Sequence, residues 1–174
     1  MEMIKYLKAR LPHAEWCIDY NKDGFANWNK AMLLAGNDPC VHMEEDIILT
    51  VNFVEKLEKA ISEHPNDLIQ FFSMRKKDIT EGSRWDNNFL MNQCFYMPAG
   101  FSLDCYNYND EWDKEERAKN PAGWDLMMDR WLKARKRKYW IHVPSLVEHR
   151  IAKSAVDKRR SSKRQSKTFV DPWL

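Results

Sequence analysis

The sequence predicts an α/β fold, in which helices flank a mostly parallel β-sheet. Short apolar runs such as "CVHM" and "DLIQFFSM" have the length of buried strands, and segments with helical apolar spacing alternate with them. Breaker residues such as Gly36 and Pro65 separate the two kinds of segment. This alternation is typical of parallel sheets, because a helix returns the chain to start the next strand in the same direction.

Each element of the first half rests on its own pattern. Residues 3–11 carry apolar side chains at helical spacing before Pro12, and "AEWCIDY" (14–20) is a strand candidate that ends in the turn "NKDG". "FANWNKAMLLAG" (25–36) is a helix that Gly36 stops, and "CVHM" (40–43) is the next strand. "NFVEKLEKAISEHP" (52–65) is again helical, and "DLIQFFSM" (67–74) closes this half as a compact strand.

The second half is less regular. Residues 75–88 form a polar loop, "FLMNQCFYMP" (89–98) predicts a strand, and residues 107–123 form a long polar insertion. A helix is predicted over 123–138 and a strand over 139–144. We expect one domain over residues 1–151 and a basic, flexible tail over residues 152–174, because the tail has no apolar periodicity.

The net charge of +2 hides an asymmetry along the chain. Residues 133–167 hold 13 Lys and Arg against two acids, which leaves the remainder of the chain acidic. A basic end suits a polyanion such as DNA, although a solvated basic tail has the same composition. The tail residues that we expect to contact nucleic acid are Lys158, Arg159, Arg160, Lys163, Arg164 and Lys167.

Composition also bears on location. The sequence has no apolar run near the roughly 18 residues of a membrane span, and its start is too charged for a secretory signal. The four cysteines have no zinc-type spacing, so they are expected to be free thiols. We therefore expect a cytoplasmic protein.

The sharpest chemical signal is the acidic triplet Glu44, Glu45 and Asp46, which follows an apolar strand directly. On an extended chain Glu44 and Asp46 would point the same way and Glu45 elsewhere. Carboxylate oxygens of this kind suit Mg²⁺ or Mn²⁺. The alternative is a solvated loop that merely ends the strand.

These motifs, in this order and spacing, resemble the nucleotide-sugar half of a GT-A glycosyltransferase. The segments that carry the resemblance are a strand ending in Asp19, "VHMEEDIIL", "GWDLMMDRWL" and "VPSLVEH", and it spans about residues 14–150. The triplet stands where that Rossmann-like fold has its D-x-D motif and is similar to the "EDD" version of lipopolysaccharide-type transferases. The fold usually opens with a further strand and a nucleotide-receiving loop, so the resemblance implies a sheet that lacks the usual first strand.

The resemblance implies a metal-dependent transfer of a sugar from a UDP- or GDP-sugar to a hydroxyl acceptor. Glu44 and Asp46 would approach the Mn²⁺ or Mg²⁺ ion and the nucleotide, His149 would add a nitrogen ligand, and Asp19 would lie near the base or ribose. Asp125 would be the base that deprotonates the acceptor in an inverting transfer, and Asp129 on the same helical face could serve instead. Each also has a structural interpretation: a turn carboxylate for Asp19, a helix N-terminal acid for Asp125 and a packed side chain for His149.

The acceptor implied by the size and basic end of the chain is a hydroxymethylated base in DNA, as in bacteriophage DNA-modifying glycosyltransferases that the chain resembles. A glycan or lipopolysaccharide acceptor is the other class. A nucleic-acid-binding module without catalysis remains an alternative of a different kind. Among the tryptophans, Trp85 and Trp112 lie in polar segments and are candidates to stack on a sugar or base.

Overall fold

The computed structural model describes residues 2–21, 23–112, 114–119, 123–151 and 164–170. Within these ranges the chain is a mixed α/β protein. The helices are α1 (Glu2–Arg10), α2 (Gly24–Ala35), α3 (Phe53–Glu63), α4 (Asp78–Glu81), α5 (Phe101–Asn107), α6 (Lys114–Lys119) and α7 (Trp124–Ala134), with a 3₁₀ turn at Tyr108–Asp110. The strands are β1 (Cys40–Met43), β2 (Ile47–Leu49), β3 (Ile69–Gln70), β4 (Arg84–Asp86), β5 (Cys94–Met97), β6 (Tyr139–Ile141) and β7 (Val147–His149).

The helices of the first half confirm the sequence patterns. Helix α2 ends one residue before Gly36, whose positive φ of 57° suits glycine and whose N–H donates to the carbonyl of Met32. Helix α3 ends two residues before Pro65. Helix α7 stops at Ala134, before the basic run that the sequence pattern had included in it.

Five strands form the main sheet in the order β1-β5-β3-β6-β4, and β2 pairs with β7 in a separate two-stranded sheet. Only β3 and β6 pair in parallel, whereas β1 with β5, β3 with β5, and β4 with β6 are antiparallel. The predicted mostly parallel sheet is therefore wrong in its pairings. The reason is that β5 lies between β1 and β3 and runs against both, so β1, β3 and β6 share one direction without all being neighbours.

The predicted strand at residues 14–20 is also absent, since this segment has no strand partner. Although Trp16 packs on the core, the last apolar side chains of the segment are not buried: Tyr20 is 84% exposed and Ile18 is 37% exposed. The segment is joined to α2 instead, where the Asn27 side chain donates a 3.1 Å hydrogen bond to the carbonyl of Cys17. As a result, β1 is an edge strand of the described sheet.

The core has two parts, one on each face of the main sheet. Alternate residues of β5 belong to different clusters: Phe95 and Met97 pack with α2 and α7, whereas Cys94 and Tyr96 pack with α1 and α3. Because side chains of a strand point alternately to its two faces, the sheet is covered by helices on both sides. This layering holds the carboxyl end of β1 in a fixed position.

Residues 164–170 pack on this body, which differs from the solvated tail that composition predicts. The Ser166 N–H donates to Glu148 Oε1 at 3.0 Å, and the Ser166 hydroxyl donates to Ser145 Oγ at 2.8 Å. Thr168 Oγ1 accepts a hydrogen bond from the Ser145 N–H. Composition could not show this, because the bonds are made by Ser and Thr and not by apolar burial. Among the described residues no helix has the length and apolarity to cross a membrane.

Candidate functional site

A cleft of about 670 Å³ follows the unpaired side of β1, and we call it the β1 cleft. Its walls come from the end of α1, residues 14–19, α2 and the start of α7. The predicted site residues among its lining are Asp19, Glu44, Asp46 and Asp125, and Arg164 of the predicted nucleic-acid set lines it as well. Sequence positions far apart thus meet in one concave surface, the usual form of a small-molecule site.

The acidic triplet lies directly after β1, as predicted, and forms the turn between β1 and β2. The expectation that Glu45 faces away from the site is wrong, because Glu45 lines the cleft with Glu44 and Asp46. The side-chain alternation of an extended chain does not apply to a turn. All three residues of the triplet therefore line the same cleft.

Glu44 is the most perturbed member of the triplet. Burial, together with the nearby charges of Asp46 and Glu45, raises its pKa to about 7. The indole N–H of Trp124 donates a hydrogen bond to the Glu44 carboxylate and opposes this shift. The Gln93 side chain also donates to Glu44 Oε2 at 3.4 Å. A carboxyl group with such a pKa can exchange a proton near neutral pH.

Strand pairing brings His149 to the triplet. Because β7 pairs with β2, His149 lies opposite Ile47, the residue after Asp46. The imidazole is 1% exposed, and its Nε2 lies 3.1 Å from Asp46 Oδ2. Asp46 Oδ1 and His149 Nδ1 are buried and have no hydrogen-bond partner.

Asp125 and Asp129 prove to be unlike each other. Asp125 lies in the first turn of α7 and lines the β1 cleft. Asp129 is buried, accepts the N–H of Phe89 at 3.0 Å and pairs with Lys133 at 2.7 Å. Asp129 therefore has a structural role. The prediction that it could replace Asp125 as the base is wrong, because its carboxylate oxygens are already bonded to Phe89 and Lys133.

Asp19 is a turn carboxylate at the edge of the β1 cleft. Its Oδ1 accepts hydrogen bonds from the N–H groups of Asn21 and Asp23, at 3.0 and 3.1 Å, as a turn carboxylate does. The residue also lines the β1 cleft.

Arg164, which was expected to contact nucleic acid, lines the β1 cleft. One of its terminal guanidinium nitrogens (Nη2) lies 2.9 Å from His149 Nε2, inside the β1 cleft. Of the other candidates for nucleic-acid contact, Lys167 is exposed, whereas Lys158, Arg159, Arg160 and Lys163 lie outside the described residues.

Sequence reasoning missed an aromatic wall of the cleft. Trp28 contacts His42 with ring centroids 4.6 Å apart and stacks on Trp124 at 6.5 Å. Burial lowers the pKa of His42 to about 4, so this imidazole is neutral near pH 7. Trp124 can approach because Gly24 has no side chain: a Cβ there would lie 2.9 Å from the Trp124 ring. The sequence did contain a signal for this aromatic wall. In the tripeptide "GWD" at residues 123–125, an aromatic residue stands directly beside the candidate base.

The two tryptophans proposed for stacking also differ. Trp112 is 2% exposed and its indole donates to Glu116, so it is structural. Trp85 is 45% exposed on β4, at the other edge of the main sheet, beside a second cleft of about 480 Å³. We call this the β4 cleft; it is lined by Asn66, Asp67, Leu68, Trp85, Phe101, Arg137 and Lys138.

Within the described part of the chain, no group of three or more His, Cys, Asp and Glu side chains is placed so that it could hold a metal ion. The pair Asp46 and His149 nevertheless fits a divalent cation in chemistry, since a carboxylate and an imidazole are ligands that Mn²⁺ accepts, and Asp46 Oδ1 is buried without a partner. No known family model matches the sequence, and no curated protein is significantly similar to it.

Proposed function

We propose that the β1 cleft is the donor site of a metal-dependent glycosyltransferase, which moves a sugar from a UDP- or GDP-sugar to a hydroxyl acceptor. One observation carries the proposal: Asp46 and His149 lie 3.1 Å apart at a cleft that Asp125 also lines. A carboxylate–imidazole pair, an acidic turn and a separate carboxylate are the groups that such a transfer needs. The shared direction of β1, β3 and β6 supports the proposal, because ligand crevices of α/β sheets lie at the carboxyl ends of such strands.

In this proposal Asp46 would give the cation an oxygen ligand and His149 a nitrogen ligand, with Glu44 nearby in the same turn. Imidazole ligation favours Mn²⁺ over Mg²⁺, and the remaining positions are left to water and phosphate oxygens. When bound, the cation supplies positive charge that stabilises the departing diphosphate.

The other groups act on the sugar and the acceptor. Asp125 takes the proton from the acceptor hydroxyl as that oxygen attacks the anomeric carbon in an inverting transfer. The aromatic wall of Trp28 and Trp124 excludes water from one side of the cleft, and the Trp124 indole orients Glu44 through its hydrogen bond.

Isothermal titration with a panel of UDP- and GDP-sugars, with and without Mn²⁺, tests the proposal. We expect one nucleotide class to bind only with Mn²⁺, and Asp46→Ala to lose this binding while its thermal melt stays cooperative. Glu55→Ala, which removes an exposed carboxylate of α3 outside the cleft, is the matched control and should bind as the unchanged chain does. Metal-independent binding, or equal binding by the Asp46 variant, would remove the acidic turn from the mechanism.

For the acceptor we propose DNA, on the charge asymmetry of the chain. Exposed Lys136, Lys138, Arg150 and Lys167 extend the basic character of the C-terminal end to the described body. Replacing Lys158, Arg159, Arg160 and Lys163 by Gln should reduce the slope of log affinity against log salt on duplex DNA by about 3 to 4, since each phosphate contact contributes roughly 0.9. An unchanged slope favours a glycan acceptor. DNA binding without any nucleotide-sugar binding would instead favour a nucleic-acid-binding module without catalysis.

A further inference from the structure

His149 Nε2 has two neighbours with opposite hydrogen-bonding requirements. The Arg164 guanidinium lies 2.9 Å away on one side, and Asp46 Oδ2 lies 3.1 Å away on the other. A guanidinium can only donate hydrogen bonds, and a carboxylate can only accept them. One nitrogen atom cannot meet both demands.

Neither tautomer of the imidazole removes the conflict. If Nε2 carries the proton, it donates to Asp46 but faces the N–H donors of Arg164. If Nε2 is bare, its single lone pair accepts from Arg164, and Asp46 Oδ2 then faces a nitrogen that has no proton to donate. The surrounding atoms do not compensate, because Asp46 Oδ1, His149 Nδ1 and Arg164 Nε are all buried without a partner.

A divalent cation in place of the guanidinium resolves the conflict. It accepts lone pairs from Asp46 and from Nε2 at the same time, so both atoms are satisfied by one positive centre. We propose that Arg164 occupies this position as an internal cation, and that the guanidinium and a divalent ion exclude each other at the Asp46–His149 pair. This inference rests on the metal site of the proposed function and assigns Arg164 the control of access to it.

The anchoring of residue 164 fits such an exchange. The segment after Arg164 is held on β7 and the preceding loop through Ser166 and Thr168, whose partners are Glu148 and Ser145. The backbone can therefore stay in place while the long side chain rotates away from His149. Arg164 remains at the cleft after the exchange, where its charge is available to an anionic ligand.

The test is Mn²⁺ binding. It is measured by isothermal titration and by the electron paramagnetic resonance signal of free Mn²⁺. Arg164→Ala and Arg164→Met should bind Mn²⁺ at least about tenfold more tightly than the unchanged chain, since a positive charge at hydrogen-bond distance strongly opposes a cation in a partly buried site. Arg150→Ala is the matched control: it removes an exposed positive charge beside His149, and its affinity should change less than about threefold because exposed charges are screened. Thermal melts establish that each variant is folded.

The outcomes separate this inference from the proposed function. If the unchanged chain and both Arg164 variants bind Mn²⁺ equally, the metal site stands and the exclusion by Arg164 is wrong. Weaker binding in the variants also overturns it, because Arg164 would then support the site. If neither the unchanged chain nor a folded Arg164 variant binds Mn²⁺, the metal site of the proposed function fails and the inference fails with it.

Discussion

The two clefts at opposite edges of the main sheet differ in how their polar side chains are satisfied. Around the β4 cleft, Arg137 pairs with Asp104 at 3.2 Å and His64 lies 3.5 Å from Asp67. In the β1 cleft, Asp46 Oδ1 and Arg164 Nε are buried without a partner. Unpaired buried polar atoms cost stability, and a bound ligand is one way in which their bonding is completed. The comparison teaches that polar satisfaction, more than volume, marks the β1 cleft as the functional candidate.

The two clefts also differ in their charged side chains, and this difference again marks the β1 cleft as the functional candidate. The β1 cleft collects Glu44, Glu45 and Asp46 in one turn, with Arg164 as a nearby cation. The β4 cleft has Arg137 and Lys138 against Asp67, and its exposed ring, Trp85, packs edge-on against Trp140 at 5.4 Å. Like charges held together are tolerated in a site that receives a cation, whereas the β4 cleft holds charges of both signs.

The largest effect is expected on Mn²⁺ affinity, and only from the histidine of the β1 cleft. His149→Ala should weaken Mn²⁺ binding by at least about tenfold, because it removes a proposed ligand of the ion. His64→Ala, which removes the imidazole that stacks on Trp140 near the β4 cleft, should leave Mn²⁺ affinity unchanged. Isothermal titration of both folded variants measures the difference. If both lose Mn²⁺ affinity equally, the assignment of the metal site to the β1 cleft is wrong.

The pH dependence of stability should report the crowding of carboxylates in the β1 cleft. Since burial raises the pKa of Glu44 to about 7 from an ordinary value of 4.5, the protonated carboxyl is favoured in the folded chain. Its contribution is fully present below about pH 4.5 and is lost as the pH rises through about 7. Without metal, the free energy of unfolding should fall by roughly 2 to 3 kcal/mol from pH 5 to pH 8 on this account.

Urea unfolding at a series of pH values measures this change, with Glu44→Gln as the comparison. The Gln side chain has no proton to lose, so its profile should be flatter by the same amount. An identical slope in both chains would show that Glu44 does not titrate in this range.

A smaller effect is expected from Gly24→Ala, which crowds the aromatic wall. The added Cβ would lie 2.9 Å from Trp124 Cη2, and overpacking of this kind costs about 1 to 3 kcal/mol, partly offset by the higher helix propensity of Ala. We expect a net loss of about 1 kcal/mol in unfolding free energy. In a Trp124→Ala background the same substitution should become neutral or stabilising, and a penalty that persists there would exclude the ring contact as its cause.

The smallest effect is expected at the β4 cleft. Trp85→Ala removes a cross-strand contact with Trp140 and should cost at most about 1 kcal/mol in unfolding free energy. Nucleotide-sugar and Mn²⁺ binding should be unchanged in isothermal titration. Loss of nucleotide-sugar binding in this variant would place the ligand at the β4 cleft and reverse the comparison.

The local features of this protein follow from its sequence. Helical spacing followed by Gly36 or Pro65 predicts α2 and α3, and an apolar run followed by three carboxylates predicts a strand that ends in an acidic turn. These features depend on residues within one or two turns of one another, so the printed order of residues contains the necessary information.

The tertiary structure alone decided which strands pair and which side chains meet. The position of β5 between β1 and β3 set the antiparallel pairings, and the pairing of β2 with β7 brought His149 to Asp46 across more than one hundred positions. The hydrogen bonds of Ser166 and Thr168 held the residues next to Arg164 on the body, although composition predicted a solvated tail. Such contacts depend on which distant surfaces bury each other best, and local periodicity does not contain that information.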